Sequence, residues 1–318
     1  MLSGRQLLVT GGAGFLGSAL ARGLLASGAR VRVLDDGSRG GSAVAARRLG
    51  GLDVDFVSGD VRDAETVAGA ARDVDAVCHL AYVNGTEHFY SRPAHVLDVA
   101  VRGMLAVLDA CRSERVPELV LFSSSEVYQT PPRIPTSEDV PLSVPDPRNP
   151  RYSYGGGKIA SELLALHSDV PRVVVVRPHN AYGPDMGFEH AIPQLTRKLR
   201  STVFPEIDIQ GDGGETRAYC FVEDLVAGTL IAMERGEDRG VYHVGTEVET
   251  STRELVAEIA RLVGFELGVI VRPGPLHTGS PLRRCPDITK MRAIGYSPRV
   301  SLREGLARTV PWYLENEP

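Results

Sequence analysis

Leu7-Leu8-Val9-Thr10-Gly11-Gly12-Ala13-Gly14-Phe15-Leu16-Gly17 reads as a strand, a glycine turn and the opening of a helix. Each glycine has a distinct task in such a unit. Gly11 permits the tight turn, Gly14 lets backbone approach a pyrophosphate, and Gly17 lets the helix pack closely on the sheet. The first turn of the helix, with Phe15 and Leu16, then offers unpaired N–H groups and a partial positive charge to an anion. A purely structural turn is the competing reading, and the strand-to-helix context argues against it.

Outward from this stretch, short β-branched runs alternate with helical patterns. The runs lie at 30–34, 54–57, 76–80, 119–122 and 172–176, after the first at 7–10. Leu16, Leu20 and Leu24 recur every four residues, as on the packed face of a helix, and Ser27-Gly28 stops it. This alternation predicts βαβ units and an α/β fold, a Rossmann-type doubly wound parallel sheet. Beyond Pro178 the rhythm weakens. A strand at 241–244 and helices at 252–262 and 302–314 predict a smaller, mixed α/β C-terminal part. The expected division is 1–178 for the NAD-binding domain, with a return at about 219–247, and 179–318 for a substrate-binding domain. Residues 131–150, rich in proline and polar side chains, read as a surface loop.

Other cofactor markers fall at the carboxyl ends of these strands, where open parallel sheets bind ligands. Asp35 ends the second strand, about twenty residues past the glycines, where a carboxylate can bond an adenosine ribose. It would repel a 2′-phosphate, which favours NAD over NADP, although Arg39 nearby pulls the other way. Asp36 reads as a solvated or capping residue beside the same ribose. Asp60-Val61 closes the third strand beside the adenine, and Leu80-Ala81 closes the fourth.

The 318 residues are 43% hydrophobic and 24% charged, with a formal charge of -5. This is ordinary for a globular protein and gives no general pull toward nucleic acid or an anionic membrane. No run approaches the roughly 18 apolar residues of a membrane span. The first strand begins almost at once, without a leader, so a cytoplasmic protein is expected. Cys78, Cys111, Cys220 and Cys285 are scattered, with no metal-type spacing, and read as reduced core or surface residues.

Tyr154-Gly155-Gly156-Gly157-Lys158 places a phenol and an ammonium on one helix face. A phenol has an ordinary pKa of about 10, and a nearby lysine or a positive nicotinamide ring would lower it. Three glycines cost a helix interior about 3 kcal/mol together. Their presence predicts close backbone access for cofactor or substrate. Ser123-Ser124-Ser125-Glu126-Val127-Tyr128 follows the fifth strand. Ser124 could bond a reacting oxygen. Ser125 could bond the substrate or cap a turn, and Glu126 could move a proton or form a surface ion pair.

These segments, taken with His79-Leu80-Ala81 and with Arg177-Pro178-His179-Asn180-Ala181-Tyr182-Gly183-Pro184, resemble the extended short-chain dehydrogenases. More narrowly, they resemble the NAD-dependent nucleotide-sugar epimerase/dehydratase family, along nearly the whole chain. The resemblance implies a bound NAD, with Tyr154 as base, Lys158 holding that tyrosine and the nicotinamide ribose, and Ser124 placing the sugar hydroxyl. It further implies that Asn180, Arg217 of Gly211-Asp212-Gly213-Gly214-Glu215-Thr216-Arg217, and Arg284 meet the substrate diphosphate. A homodimer is implied too, through a four-helix bundle of residues 94–112 and 153–167 from each subunit. Four positions depart from the family pattern: Ala100 replaces an Asn, Gln129 a Gly, Ala218 an Asp, and Tyr82 a small residue.

The activity expected first is epimerisation through a 4-keto sugar with NAD recycled. A 4,6-dehydratase or a uronate decarboxylase is the alternative, since Ser124-Ser125-Glu126 is similar to the Thr-Ser-Glu of those enzymes. A non-catalytic NAD-binding regulator would have no need of the Tyr154/Lys158 pair.

Overall fold

Leu7 and Val9 point to one side of the first strand and Leu8 to the other, and all three are buried. A strand buried on both faces belongs inside a parallel sheet with helices above and below. That is its place in the computed structural model, which describes residues 2–202, 204–275 and 279–316.

The first half runs β1 (Gln6–Thr10), α1 (Phe15–Ala26), β2 (Arg30–Asp35), α2 (Gly41–Leu49), β3 (Val54–Ser58), α3 (Ala64–Ala71) and β4 (Ala76–His79). It continues with α4 (Thr86–Ser91), α5 (Pro93–Ser113), β5 (Glu118–Phe122), α6 (Ser153–Leu166) and β6 (Arg172–Pro178). The chain then leaves the sheet through β7 (Ala181–Tyr182), α7 (Ala191–Arg200), β8 (Glu206–Asp208), β9 (Thr216–Ala218) and β10 (Cys220–Phe221). It returns by α8 (Val222–Arg235) to β11 (Gly240–Val244), which pairs in parallel with β6. Last come β12 (Glu249–Ser251), α9 (Thr252–Val263), β13 (Ile270–Arg272), β14 (Arg283–Arg284), α10 (Thr289–Ala293) and α11 (Leu302–Glu315).

The central sheet has seven strands in the order β3-β2-β1-β4-β5-β6-β11. All pairings in it are parallel. The order reverses between β1 and β4, which opens a crevice at the strands' carboxyl ends. One face packs Leu20 and Leu24 of α1 with Leu225 and Met233 of α8. The other packs Val67 of α3, Met104 and Val107 of α5 and Ala165 of α6. A third cluster, built from α7, α9 and α11, forms the body of the second half. The helices expected at 252 and 302 each start on a serine capping box, Ser251 with Glu254 and Ser301 with Glu304. The four cysteines are free and buried. Among the described residues, no helix is long and apolar enough to cross a membrane.

Residues 131–149 form the expected surface loop, most of it exposed or half-buried, with two buried anchor points. Thr136 and Val140 are buried. Thr136 N–H donates to the Cys285 carbonyl (2.8 Å), and Asp287 N–H donates to the Thr136 carbonyl (2.7 Å). The Glu138 carboxylate accepts from the His243 N–H at 2.9 Å. The loop therefore joins β11 to the segment after β14.

Below the crevice, Glu162 of α6 is 2% exposed. It accepts two bonds from Arg177 of β6, at 2.9 and 2.5 Å, and one from the Ser123 hydroxyl at the end of β5. Arg177 also donates to the phenol of Tyr128, which meets His243 Nε2 at 2.6 Å. This fully bonded network holds α6 to two strands. Glu162→Gln would leave the guanidinium buried without its counter-charge. The expected loss is about 3–5 kcal/mol, measured by denaturant unfolding.

Candidate active site

At the end of β1, Gly11 has φ +69°, and a Cβ there would lie 2.7 Å from the Ala81 nitrogen. A Cβ on Gly17 would lie 2.1 Å from the Gly11 carbonyl oxygen. Only glycine fits either place. Gly14 caps α1 without any side-chain bond, so the amides of the first turn remain available to a ligand. Gly14, Phe15, Leu16 and Gly17 line one end of a cleft of about 550 Å³. An uncapped helix end above a cradle closed to side chains fits a dinucleotide pyrophosphate.

Asp35 ends β2, and its carboxylate accepts from Ala13 N–H (2.9 Å) and Gly37 N–H (2.8 Å). Burial raises its pKa, while these two bonds and Arg48 pull the other way. Asp36 is exposed and caps the turn at Ser38 N–H. Asp60 stands just past β3 rather than in it, with its carboxylate engaged by Arg62. That bond holds its pKa below the usual range. Val61 is buried beside Gly103. Leu80 and Ala81 follow β4, tied to Thr10 through its carbonyl and hydroxyl oxygens. All six residues line the cleft.

Tyr154 and Lys158 stand one turn apart on α6, both buried. The Tyr154 ring stacks on Phe89 (centroids 4.9 Å) and meets the Tyr82 ring edge-on at 5.1 Å. Burial pushes its phenol up to about 12, opposed by a hydrogen bond from Ser124 and by the charges of Arg39 and Arg284. Lys158 has its ammonium 5.8 Å from the Tyr154 ring centroid. Its Nζ donates to the Phe122 carbonyl at 2.6 Å and lies 3.7 Å from the Tyr82 ring centroid. The lysine's own pKa falls to about 7 through burial, opposed by Glu162.

Two of the three glycines make room for the protein's own side chains rather than for cofactor or substrate. A Cβ on Gly155 would strike Gln129 Nε2 at 2.3 Å and the Glu126 carbonyl oxygen at 2.8 Å. One on Gly157 would strike the Tyr82 hydroxyl at 2.2 Å and Ala100 Cβ at 2.8 Å. Gly156 has ordinary room. The crowding comes from Gln129 and Tyr82, two positions that depart from the family pattern, and the glycines accommodate them.

At the far end, Ser124 rather than Ser125 caps the turn, accepting from Glu126 N–H at 3.1 Å. Ser125 is buried but lines the cleft. Glu126 is paired with Arg284 at 2.7 Å, with Arg151 at 4.0 Å. Burial alone would raise its pKa, but Arg284 and its fellow arginines bring it below the usual range. Asn180 and Arg284 line the cleft, with the Asn180 amide donating to the Ala218 carbonyl (3.2 Å). Arg217 does not line the cleft. Its guanidinium bonds the carbonyls of Thr216, Pro281 and Leu282. Sequence patterns gave no sign of Phe89, Arg151 or Arg48, which also shape this region. Arg48 is bonded to Asp185 and to the Ala13 carbonyl of the glycine turn.

A glycine cradle at a switch point, with a buried Tyr/Lys pair facing it, defines a Rossmann-type enzyme site for a dinucleotide. Residues 7–245 match the NAD dependent epimerase/dehydratase family, and the chain belongs to that family. It is 34% identical to a UDP-glucose 4-epimerase of Mycolicibacterium smegmatis, over 97% of this chain and 98% of that protein. It is 32% identical to UDP-glucuronic acid decarboxylase 2 of Arabidopsis thaliana, over 95% of this chain and 67% of that protein. A crystal structure of a DesIV double mutant, a dTDP-glucose 4,6-dehydratase from Streptomyces venezuelae with NAD bound, superposes with TM-score 0.86. That pair shares 32% identity and covers 98% of this chain and 97% of the other.

The depressed lysine has a thermodynamic signature. Folded Lys158 releases its proton near pH 7, whereas the unfolded chain keeps it to about 10.5. In that window the folded state binds fewer protons, so the stability attributable to this lysine climbs with pH. Below pH 7 the full cost of burying the charge is present. The unfolding free energy of ligand-free wild type, minus that of Lys158→Met, should therefore rise between pH 7 and 10. Parallel curves would contradict the burial of this charge.

Proposed function

We propose that this chain is a nucleotide-sugar epimerase that oxidises a sugar hydroxyl and returns the hydride to the other face. The observation that carries the reading is the buried Tyr154/Lys158 pair at the cleft wall, beside a Glu126 already paired to Arg284. NAD on the glycine cradle would supply the hydride acceptor and donor. Tyr154, oriented by Ser124 and stacked on Phe89, would take the hydroxyl proton and give it back. A positive charge brought beside the phenol favours its ionised form, which its burial otherwise opposes. Lys158 would hold the nicotinamide ribose, and Asp35 the adenosine ribose. Epimerisation asks nothing further of the protein except room for the keto sugar to turn.

A 4,6-dehydratase needs, besides a base at carbon, an acid to protonate the departing hydroxyl, and Glu126 is poorly suited to be that acid. A carboxylate held ionised by an arginine is a weak general acid at neutral pH. Uronate decarboxylation is the second reading, and one observation favours it. Arg284 Nε and Nη2 are buried without a partner, close to Arg151 and Arg217. Cationic donors in excess of one carboxylate would suit a sugar carboxylate as well as a diphosphate. In both readings residues 1–178, with the return at 219–247, hold the cofactor, and 179–318 hold the nucleotide sugar.

Incubation with UDP-glucose, UDP-galactose, dTDP-glucose and UDP-glucuronate, followed by mass and proton spectra, separates the outcomes. Unchanged mass with an inverted centre supports the epimerase, loss of carbon dioxide the decarboxylase, and loss of water overturns both. Tyr154→Phe should lower turnover by about 10²-fold or more. Full turnover by that variant would remove Tyr154 from the chemistry.

We further propose a homodimer through α5 and α6. Leu97 and Leu105 of α5 and Leu163 of α6 are 41%, 43% and 56% exposed. Pairing two copies of this face into a four-helix bundle would cover them. Light scattering at micromolar concentration should give a dimer for wild type and a monomer for Leu163→Glu. A monomeric wild type contradicts the proposal.

A further inference from the structure

Tyr82 begins the loop after β4, and its side chain enters the seam between α5 and α6. Three facts converge on it. The Lys158 ammonium lies 3.7 Å from its ring centroid, closer than the 5.8 Å to the Tyr154 ring. The Tyr154 ring meets it at 79°, in the edge-to-face arrangement. Its hydroxyl lies 2.2 Å from where a Cβ on residue 157 would stand, a slot that only glycine leaves open.

The hydroxyl does not account for this placement. The Tyr82 oxygen is buried and makes no hydrogen bond of regular geometry. The Ser161 hydroxyl beside it donates to the Gly157 and Ala100 carbonyls instead. What the position retains is the ring. A buried ammonium has three donors, and Lys158 spends one on the Phe122 carbonyl. A π-face is an attractive partner for the charge that remains, more so away from water.

We infer that Tyr82 is a positioning residue whose ring face seats the Lys158 ammonium and whose contact with Tyr154 keeps both groups directed at the cleft. This rests on the reading of Tyr154 and Lys158 as the reactive pair. Phe89 closes the other side of Tyr154, so the phenol is held between two rings with its oxygen toward Ser124.

The test uses NAD itself, on the full-length protein, by isothermal titration, with circular dichroism to verify folding. Tyr82→Leu keeps the bulk but removes the π-face, and should weaken NAD binding by about tenfold. Tyr82→Phe keeps the face and should restore affinity to within about twofold of wild type. If the ring acts through the lysine, Tyr82→Leu should change nothing further in a Lys158→Met background, where NAD binding is already weakened. Additive losses in the double variant would overturn the proposal, as would a Phe variant no better than Leu or a Leu variant that binds like wild type. Unchanged NAD affinity in Lys158→Met alone would overturn the assignment of the pair, and the seat with it.

Discussion

The carboxylate of Glu162 fastens the reactive helix to the sheet. It accepts from Ser123, just past the fifth strand, and from Arg177 on the sixth, and all three residues are buried. Ser124 follows directly on Ser123, and Tyr154 and Lys158 lie about two turns and one turn before Glu162. The hydroxyl, phenol and ammonium of the cleft therefore inherit their spacing from one ion pair beneath them. The interior has little tolerance for a loose charge, so this arrangement has few alternatives. The same carboxylate also opposes the loss of the Lys158 proton, so that geometry and charge at the site share one origin.

The second constraint is steric. Tyr82 and Gln129 thrust into α6, and Gly157 and Gly155 yield to them. Gln129 also adopts φ +52°, a backbone region that glycine enters more easily. Its amide nitrogen donates to the Glu126 carbonyl at 2.6 Å and steadies the turn on which Ser124 lies. Substitutions that look like isolated departures in the sequence thus form two matched sets, each a large side chain with the space made for it.

The sheet was legible because its signals are local. Each strand carries apolar residues on both faces, α1 has its leucine stripe, and the glycines mark where the first strand turns into that helix. The Tyr/Lys pair was legible for the same reason, since helical periodicity alone puts the two on one face. The misreadings arose where partners are far apart in the chain. Nothing near Glu126 announces Arg284, yet the two make the ion pair that sets the glutamate's charge. Nothing in three successive glycines tells whether a ligand or a tyrosine from another loop needs the room. Arg217 keeps its motif, but the carbonyls that capture it lie in a segment with no pattern of its own. Composition marked 131–149 as surface, but not its anchors, because the backbone partners of Thr136 lie in a distant segment.

The path between β6 and β11 carries a consequence for divergence. These strands are neighbours in the sheet, yet the chain builds β7 to α8 between them, and everything after β12 lies outside the sheet as well. Insertions or exchanges in those excursions, α8 apart because it packs on α1, leave the strand register and the glycine cradle untouched. A lineage with this architecture can revise what it recognises without rebuilding the redox machinery, and the two halves of the cleft are free to change at different evolutionary tempos.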